Sequence, residues 1–183
     1  MHHSHDATRV PASSADARRM LAHFAIRQLV LSDEPYVARL FKRLEPRARL
    51  DRFGHEISDS ALEAYAREAL VSSPAVFGAL IDDQLAGVAE ITRLAGDETA
   101  MLAFAVDAQW RRKGIGCRLL LAALAWTTER GLGCVQLQCA RTNWAVRQIA
   151  QNANARVSLT AGQFLAQFDS NSRAAFMTAQ ARR

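Results

Sequence analysis

Residues 106–116 read VDAQWRRKGIG, and they stand between a mostly apolar stretch, 99–106, and a long apolar run with helical spacing. The first stretch is typical of a buried central strand, and the run predicts a helix over 114–130. Gly114 and Gly116 have no β-carbon, so a bulky anion could approach the backbone N–H groups around them. The N-terminus of a helix adds about half a positive charge. The segment therefore predicts a phosphate-binding junction between a strand and a helix.

Three cationic side chains precede these glycines and favour a diphosphate over a neutral ligand. They are Arg111, Arg112 and Lys113. Two other phosphate-binding patterns do not fit. A dinucleotide fingerprint needs a small third residue where the chain has Leu119, and no GxxxxGK motif followed by Ser or Thr occurs in the sequence. Dinucleotide binding in a Rossmann fold and nucleoside triphosphate binding in a P-loop are therefore disfavoured.

Outward from this junction, hydrophobic periodicity predicts a mixed α/β sheet. The expected order is a strand, two helices, a three-stranded meander, a helix, a strand, a helix and two final strands. The two early helices are opened by Asp33-Glu34-Pro35 and by a capping box at Ser60 and Glu63, and Pro46 ends the first of them. We expect strands at 23–31, 75–81, 85–94, 99–106, 134–139, 156–159 and 163–168, and later helices at 114–130 and 143–152.

The length of 183 residues and the apolar fraction of 50% fit one globular domain. We expect a flexible arm at 1–19, the domain at 20–170 and a basic tail at 171–183. A short histidine cluster in the arm is typical of adventitious metal binding, so no functional metal is expected. The sequence shows no apolar run of the ~18 residues of a membrane span, no secretion signal and no CxxC spacing. A cytoplasmic location is the expectation.

Arg111, Gly114 and Gly116 follow the spacing Arg/Gln-x-x-Gly-x-Gly, which resembles the coenzyme A signature of the GNAT acetyltransferase superfamily. The surroundings resemble that family too. Val106 lies upstream, Trp110 precedes the arginine, and a Leu-Leu pair follows the second glycine. A strand and a helix opened by an asparagine come next, as they do in the family.

This resemblance covers about residues 77–168 and implies a GNAT-like fold with acetyl-CoA as co-substrate. The loop and the helix N-terminus would hold the coenzyme A diphosphate, the end of the central strand would pair with pantetheine, and an asparagine would contact the same arm. In this family the central strand splays from its neighbour, so the thioester is expected between Val106 and the strand at 134–139. The cofactor-binding residues implied in this way are Phe104, Ala105, Val106, Arg111, Arg112, Lys113, Gly114, Ile115, Gly116, Cys117 and Asn143.

Transfer to an amine needs a group that takes a proton from the nitrogen. Glu90 is the candidate base, because partial burial would make its carboxylate a stronger base, and a solvated strand residue is the alternative. Glu98, in a turn, ranks lower. The tyrosine that many family members use as a general acid corresponds to Ala150, and a glutamate of some members corresponds to Met101. Cys139 alternates with apolar residues and is expected in the core rather than as an acyl acceptor.

The expected function is N-acetyl transfer from acetyl-CoA to a primary amine, with a small molecule or a protein lysine as the acceptor. The missing tyrosine and the segment around Arg52 resemble bacterial protein-lysine acetyltransferases of the same superfamily, which favours a macromolecular amine. The alternative is a non-catalytic regulator that binds acyl-CoA. A nucleic-acid-binding module, suggested by the net charge of +5, lacks a recognition motif. No membrane partner is expected. The sequence leaves open whether the chain forms a homodimer.

Overall fold

The computed structural model describes residues 24–94, 98–160 and 163–181. These residues form both strands and helices. The strands are β1 (Phe24–Gln28), β2 (Ala75–Ile81), β3 (Gln84–Arg93), β4 (Thr99–Val106), β5 (Cys134–Ala140), β6 (Arg156–Thr160) and β7 (Gln163–Phe168). The helices are α1 (Glu34–Arg43), α2 (Pro46–Phe53), α3 (Asp59–Ser72), α4 (Ile115–Glu129), α5 (Trp144–Asn152) and α6 (Ser170–Ala181).

All seven strands join one sheet in the order β1-β2-β3-β4-β5-β7-β6. β4 and β5 run parallel, because the crossover helix α4 connects them, and the other neighbouring strands are antiparallel. Helices α1 and α3 cover one face with a core that includes Phe41 and Leu62. Helices α4, α5 and α6 cover the other face around Leu120 and Phe168. This architecture confirms the mixed α/β fold.

The β2–β3 hairpin turns on two residues, Asp82 and Asp83, whose φ angles are 48° and 61°. Positive φ at both central positions matches the right-handed twist of the flanking strands, and a short polar side chain tolerates it better than most. The polar link expected here is thus a tight turn. β3 then returns along the sheet and pairs Glu90 with Ala103 of β4.

Three helices, rather than the two expected, connect β1 to β2. Pro46 begins α2 instead of only ending the helix before it, because proline suits the first turn, where its missing N–H costs no bond. The capping box expected at Ser60 is also corrected. The side chain of Ser58 accepts the amide of Ala61 at 3.3 Å and caps α3 two residues earlier.

Helix α6 occupies most of the stretch expected as a basic tail, 171–183. It contacts α4 and β7, and Phe176 is 2% exposed within the core. Asp169 accepts the amide of Ser172 at 2.8 Å and so stabilises the first turn of this helix. The packed part of the described chain therefore extends into α6.

β4 and β5 separate part-way along their length. Their parallel pairing runs from Thr99 opposite Cys134 to Leu102 opposite Leu137, the last pair in the described ladder. Each strand then continues, paired only with its outer neighbour. We call the opening between residues 103–106 of β4 and 138–140 of β5 the split. It opens towards the loop that leads into α4.

Within the described ranges, no helix is long and apolar enough to cross a membrane. In the same ranges, no group of three or more His, Cys, Asp or Glu side chains could hold a metal ion. The histidine cluster and the flexible arm expected at 1–19 lie outside the described residues.

Candidate active site

The open edge of β4 presents backbone polar groups to the split. Asp107 donates its amide to the carbonyl of Ala86, at the β3 side, at 3.0 Å. Because the bonding direction alternates along an antiparallel strand, the amide and carbonyl of Ala105 also point to β3. The amide and carbonyl of Phe104 and the amide of Val106 point into the split, and the Val106 carbonyl accepts a hydrogen bond from Arg111 at 3.2 Å. Of the three strand residues expected to pair with pantetheine, these two therefore have groups that face it.

The loop after β4 brings the N-terminus of α4 to the mouth of the split. Gly114 precedes the helix with φ 80° and ψ 0°, a left-handed conformation that favours glycine. A Cβ on Gly114 would meet no heavy atom within 4 Å, so backbone geometry rather than crowding requires glycine. No side chain in the described part of the chain caps this helix end, and no carbonyl there accepts the amides of residues 113–116. The amides of residues 113–116 are thus unbonded within the described chain, and they lie at the positive end of the helix dipole.

Gly116 lacks a side chain for a different reason. A Cβ there would lie 2.8 Å from Cδ1 of Ile149, so the glycine lets α4 approach α5 closely. α5 follows Asn143, whose Oδ1 accepts the amide of Val146 at 3.2 Å and caps the helix. Gly116 and Asn143 therefore determine how α5 begins and how it packs beside the first turn of α4.

The three cations of the loop have different surroundings. Arg111 binds the protein itself, since its Nε donates to the last carbonyl of β4 at 3.2 Å and its Nη1 pairs with Glu45 at 2.8 Å. Lys113 lies over the ring of Trp110, with its Nζ 4.4 Å from the centroid. Arg112 is exposed, with a left-handed φ of 61°. Arg111 therefore shapes the loop, and Arg112 and Lys113 carry the charge that an incoming anion would meet.

Glu90, the candidate base, has a carboxylate that already serves three donors. It forms a buried ion pair with Arg52, in which both side chains are 7% exposed, and it accepts the hydroxyls of Tyr65 and Ser73 at 2.7 Å each. Burial raises the pKa of Tyr65, so its hydroxyl stays a donor. A cavity of about 380 Å³ borders this cluster over the C-terminal end of β3. The carboxylate ties α2 and α3 to the sheet, which leaves it poorly placed to exchange protons with an acceptor.

The other residues singled out from the sequence lie in the core or away from the split. Glu98 lies just before β4, five residues before Ala103, where the split begins. At ~3.3 Å per strand residue, this separation is roughly 16 Å. Ala150 is fully buried. Cys139 is 6% exposed. Burial, and after it the charge of Asp51, raise the pKa of the Cys139 thiol to about 11. A protonated, buried thiol is a weak nucleophile, as a core position implies.

The sequence profile of the acetyltransferase (GNAT) family matches residues 36–151, which is more than half of the chain. The chain belongs to the GNAT acetyltransferase family. The matched part of this GNAT protein runs from α1 to α5 and includes both the split and the loop before α4. No curated protein sequence matches the chain.

Solved structures share the GNAT fold at low sequence identity. The GNAT domain of S. lividans PAT has a TM-score of 0.68 at 17% identity, over 79% of this chain and 89% of that one. An acetyltransferase of the GNAT family from Streptococcus pneumoniae has a TM-score of 0.64 at 17% identity, over 80% and 98%. The PaiA N-acetyltransferase from Thermoplasma acidophilum, in complex with coenzyme A, has a TM-score of 0.60 at 19% identity, over 80% and 98%. At such identities the likeness shows the fold alone.

Sequence patterns missed the contacts that α1 and α2 make around the split of this GNAT domain. Arg43 pairs with Asp107, just after β4, at 2.8 Å. Arg47 donates from a terminal nitrogen to Thr142, just after β5, and pairs with Asp51 at 3.2 Å. The basic composition around α2 is the visible signal, but the partners of the two arginines lie 64 and 95 residues further along the chain. Only the folded sheet brings them together.

Proposed function

We propose that this GNAT protein transfers an acetyl group from acetyl-CoA to a primary amine, either a small molecule or a protein lysine. The observation that carries the proposal is the meeting of the split with the uncapped N-terminus of α4. An open strand edge and a positive helix end lie next to each other, so one elongated ligand can use both. Acetyl-CoA has the matching parts, an arm with two amide groups and a diphosphate.

In this proposal the pantetheine arm pairs like an added strand with the open edge of β4, through Phe104 and Val106. The diphosphate accepts hydrogen bonds from the amides of 113–116, and Arg112 and Lys113 add charge beside it. The coenzyme A complex of the Thermoplasma PaiA enzyme, which shares the fold, supports this choice of ligand.

The chemistry then follows from the position of the thioester within the split. An N–H on the β4 edge polarises the thioester carbonyl, and the amine attacks its carbon from the face covered by α1, α2 and α3. The C–N bond forms and the C–S bond breaks. Because Ala150 stands at the position of the family tyrosine and is buried, the thiolate leaves without a proton from that position and takes one from solvent.

Release of coenzyme A from acetyl-CoA tests the proposal. The full chain is incubated with acetyl-CoA and a panel of small primary amines and lysine peptides, and free thiol is measured over time. We expect thiol release that depends on the amine, with a matching amount of acetylated product by mass spectrometry. Binding of coenzyme A without transfer to any amine would favour the regulator instead, and an absence of binding would contradict both functions.

A further inference from the structure

Helix α2 lies over the split on the face opposite α4. It contacts both β4 and β5, the two strands that separate there. The segment is held at both sides of the opening. Glu45, just before α2, pairs with Arg111 after β4 at 2.8 Å, and Arg47 in the first turn donates to Thr142 after β5. Side chains of α2 that face the sheet are therefore close to whatever occupies the split.

Asp51 lies on this helix. It lies one turn after Arg47 on the same side of α2, and its side chain is 17% exposed. The guanidinium of Arg47 that pairs with Asp51 also donates to Thr142, just after β5, so the carboxylate lies beside the end of that strand. The carboxylate therefore sits by the β5 side of the split, where the two strands have already separated.

We propose that Asp51 is the catalytic base that takes the proton from the acceptor amine. The inference rests on the proposed acetyl transfer and deepens it. Glu90 binds three donors within the protein, whereas the ion pair of Asp51 is with Arg47, whose side chain is 60% exposed. An ion pair with an exposed arginine contributes only ~0–1 kcal/mol, so Asp51 can exchange it for an acceptor ammonium while Arg47 keeps its hydrogen bond to Thr142. Asp51 can thus release its partner at little cost.

Acetyl transfer to the amine moves two protons from nitrogen, forms one C–N bond and breaks one C–S bond. The acceptor ammonium gives one proton to the Asp51 carboxylate, which passes it to solvent, and the nitrogen lone pair then forms the C–N bond. The C–S electron pair moves to sulfur. The second proton on nitrogen leaves through the same carboxylate as the tetrahedral intermediate collapses, and the thiolate is protonated by solvent. The products are the N-acetyl amine and coenzyme A.

Other charged groups near Asp51 must be separated from it in any pH measurement. Arginines stay charged throughout the working range, and the Cys139 thiol, with a pKa of about 11, stays neutral. Glu90 is enclosed by its three donors. Arg47 pairs with Asp51 directly. The other titratable groups around this part of α2 are the Arg52–Glu90 pair, the Cys139 thiol on β5 and Arg147 on α5.

The test compares Asp51→Asn with two matched variants, using acetyl-CoA and the amine or lysine peptide that the wild type acetylates fastest. Asp51→Asn should lower kcat ~100-fold or more and remove the acidic limb of the pH profile of kcat/KM, while coenzyme A affinity by calorimetry is unchanged. Asp59→Asn removes an exposed aspartate paired with Arg49 at 3.0 Å and should leave turnover unchanged. Arg47→Gln removes the ion pair with Asp51 together with the hydrogen bond to Thr142, keeps the Asp51 carboxylate, and should keep the acidic limb.

Three outcomes would overturn the assignment of Asp51. They are an unchanged kcat in Asp51→Asn, an acidic limb that survives in it, and a loss of both kcat and the acidic limb in Arg47→Gln. Failure of the proposed function looks different, because the wild type itself would then bind no coenzyme A or acetylate no amine of the panel. A wild type that turns over, beside a fully active Asp51→Asn, would remove the inference and leave the function standing.

Discussion

Replacing Gly114 with alanine tests whether the N-terminus of α4 holds a diphosphate. At φ 80° an L residue is disfavoured by about 1–2 kcal/mol, although the new Cβ itself would meet no atom within 4 Å. The backbone either accepts this strain or turns to negative φ, which redirects the amides of the first turn. Losing one hydrogen bond to a charged diphosphate costs about 1.5–3 kcal/mol, so the Kd for coenzyme A should rise roughly 10- to 100-fold.

Gly131, at the other end of α4, supplies the matched control. Its φ is 67° and a Cβ there would also meet nothing within 4 Å, so alanine should lower the free energy of unfolding by the same ~1–2 kcal/mol. Urea denaturation measures the stability of both variants, and isothermal titration calorimetry measures their affinity for coenzyme A. We expect equal destabilisation and a weaker Kd only in Gly114→Ala. An unchanged Kd there, or an equal loss in Gly131→Ala, would refute the placement of the diphosphate.

Buried and titrating groups give three more predictions. Glu90→Gln should lower the free energy of unfolding by about 3 kcal/mol or more in urea, because it leaves the buried charge of Arg52 without a counter-ion. Hydrogen bonds from Arg27 lower the pKa of Asp33, so the stability that Asp33 contributes should be present above the ordinary carboxyl range and lost as pH falls through its lowered pKa. Asp33→Asn should flatten that part of the stability curve. Cys139, with a thiol pKa of about 11, should react slowly with iodoacetamide at about pH 8 when the other cysteines are serine.

Each of these predictions has its own control or contrary result. Glu63→Gln breaks an exposed ion pair with Lys42 and should lower the free energy of unfolding by only ~0–1 kcal/mol. An equal decrease in Glu90→Gln and Glu63→Gln would show that the buried pair contributes no more than the exposed one. A stability curve of Asp33→Asn that keeps the acid-induced drop of the wild type would assign that drop to other carboxylates. Rapid alkylation of Cys139 in the folded protein would place its thiol at the surface.

The parts of the site that the sequence could predict are those set by neighbouring residues. Gly114 stands at a strand-to-helix junction, and both its left-handed φ and the free amides after it are local consequences of that position. The sheet also followed from periodicity, since apolar spacing differs between strands and helices. Helix α2 could not be predicted, because a proline can follow the end of one helix and also stand in the first turn of the next. Its eight residues also include no buried side chain, so they show no clear apolar period.

Contacts between distant parts of the chain could not be predicted from the sequence. Glu90 looked available as a base, yet its partner Arg52 is 38 residues away and meets it only when α2 packs on the sheet. In the sequence, the arginines around α2 look like unpaired positive charge. Instead Arg49 pairs with Asp59 and Arg47 with Asp51, so much of this positive charge serves carboxylates of the protein itself.

A crystal structure of the full chain with coenzyme A tests the central claim most directly. We expect the diphosphate oxygens within ~3.2 Å of the amides of residues 113–116, and the pantetheine arm paired with Phe104 and Val106 inside the split. A ligand bound elsewhere, or a diphosphate held by side chains away from the first turn of α4, would contradict the account.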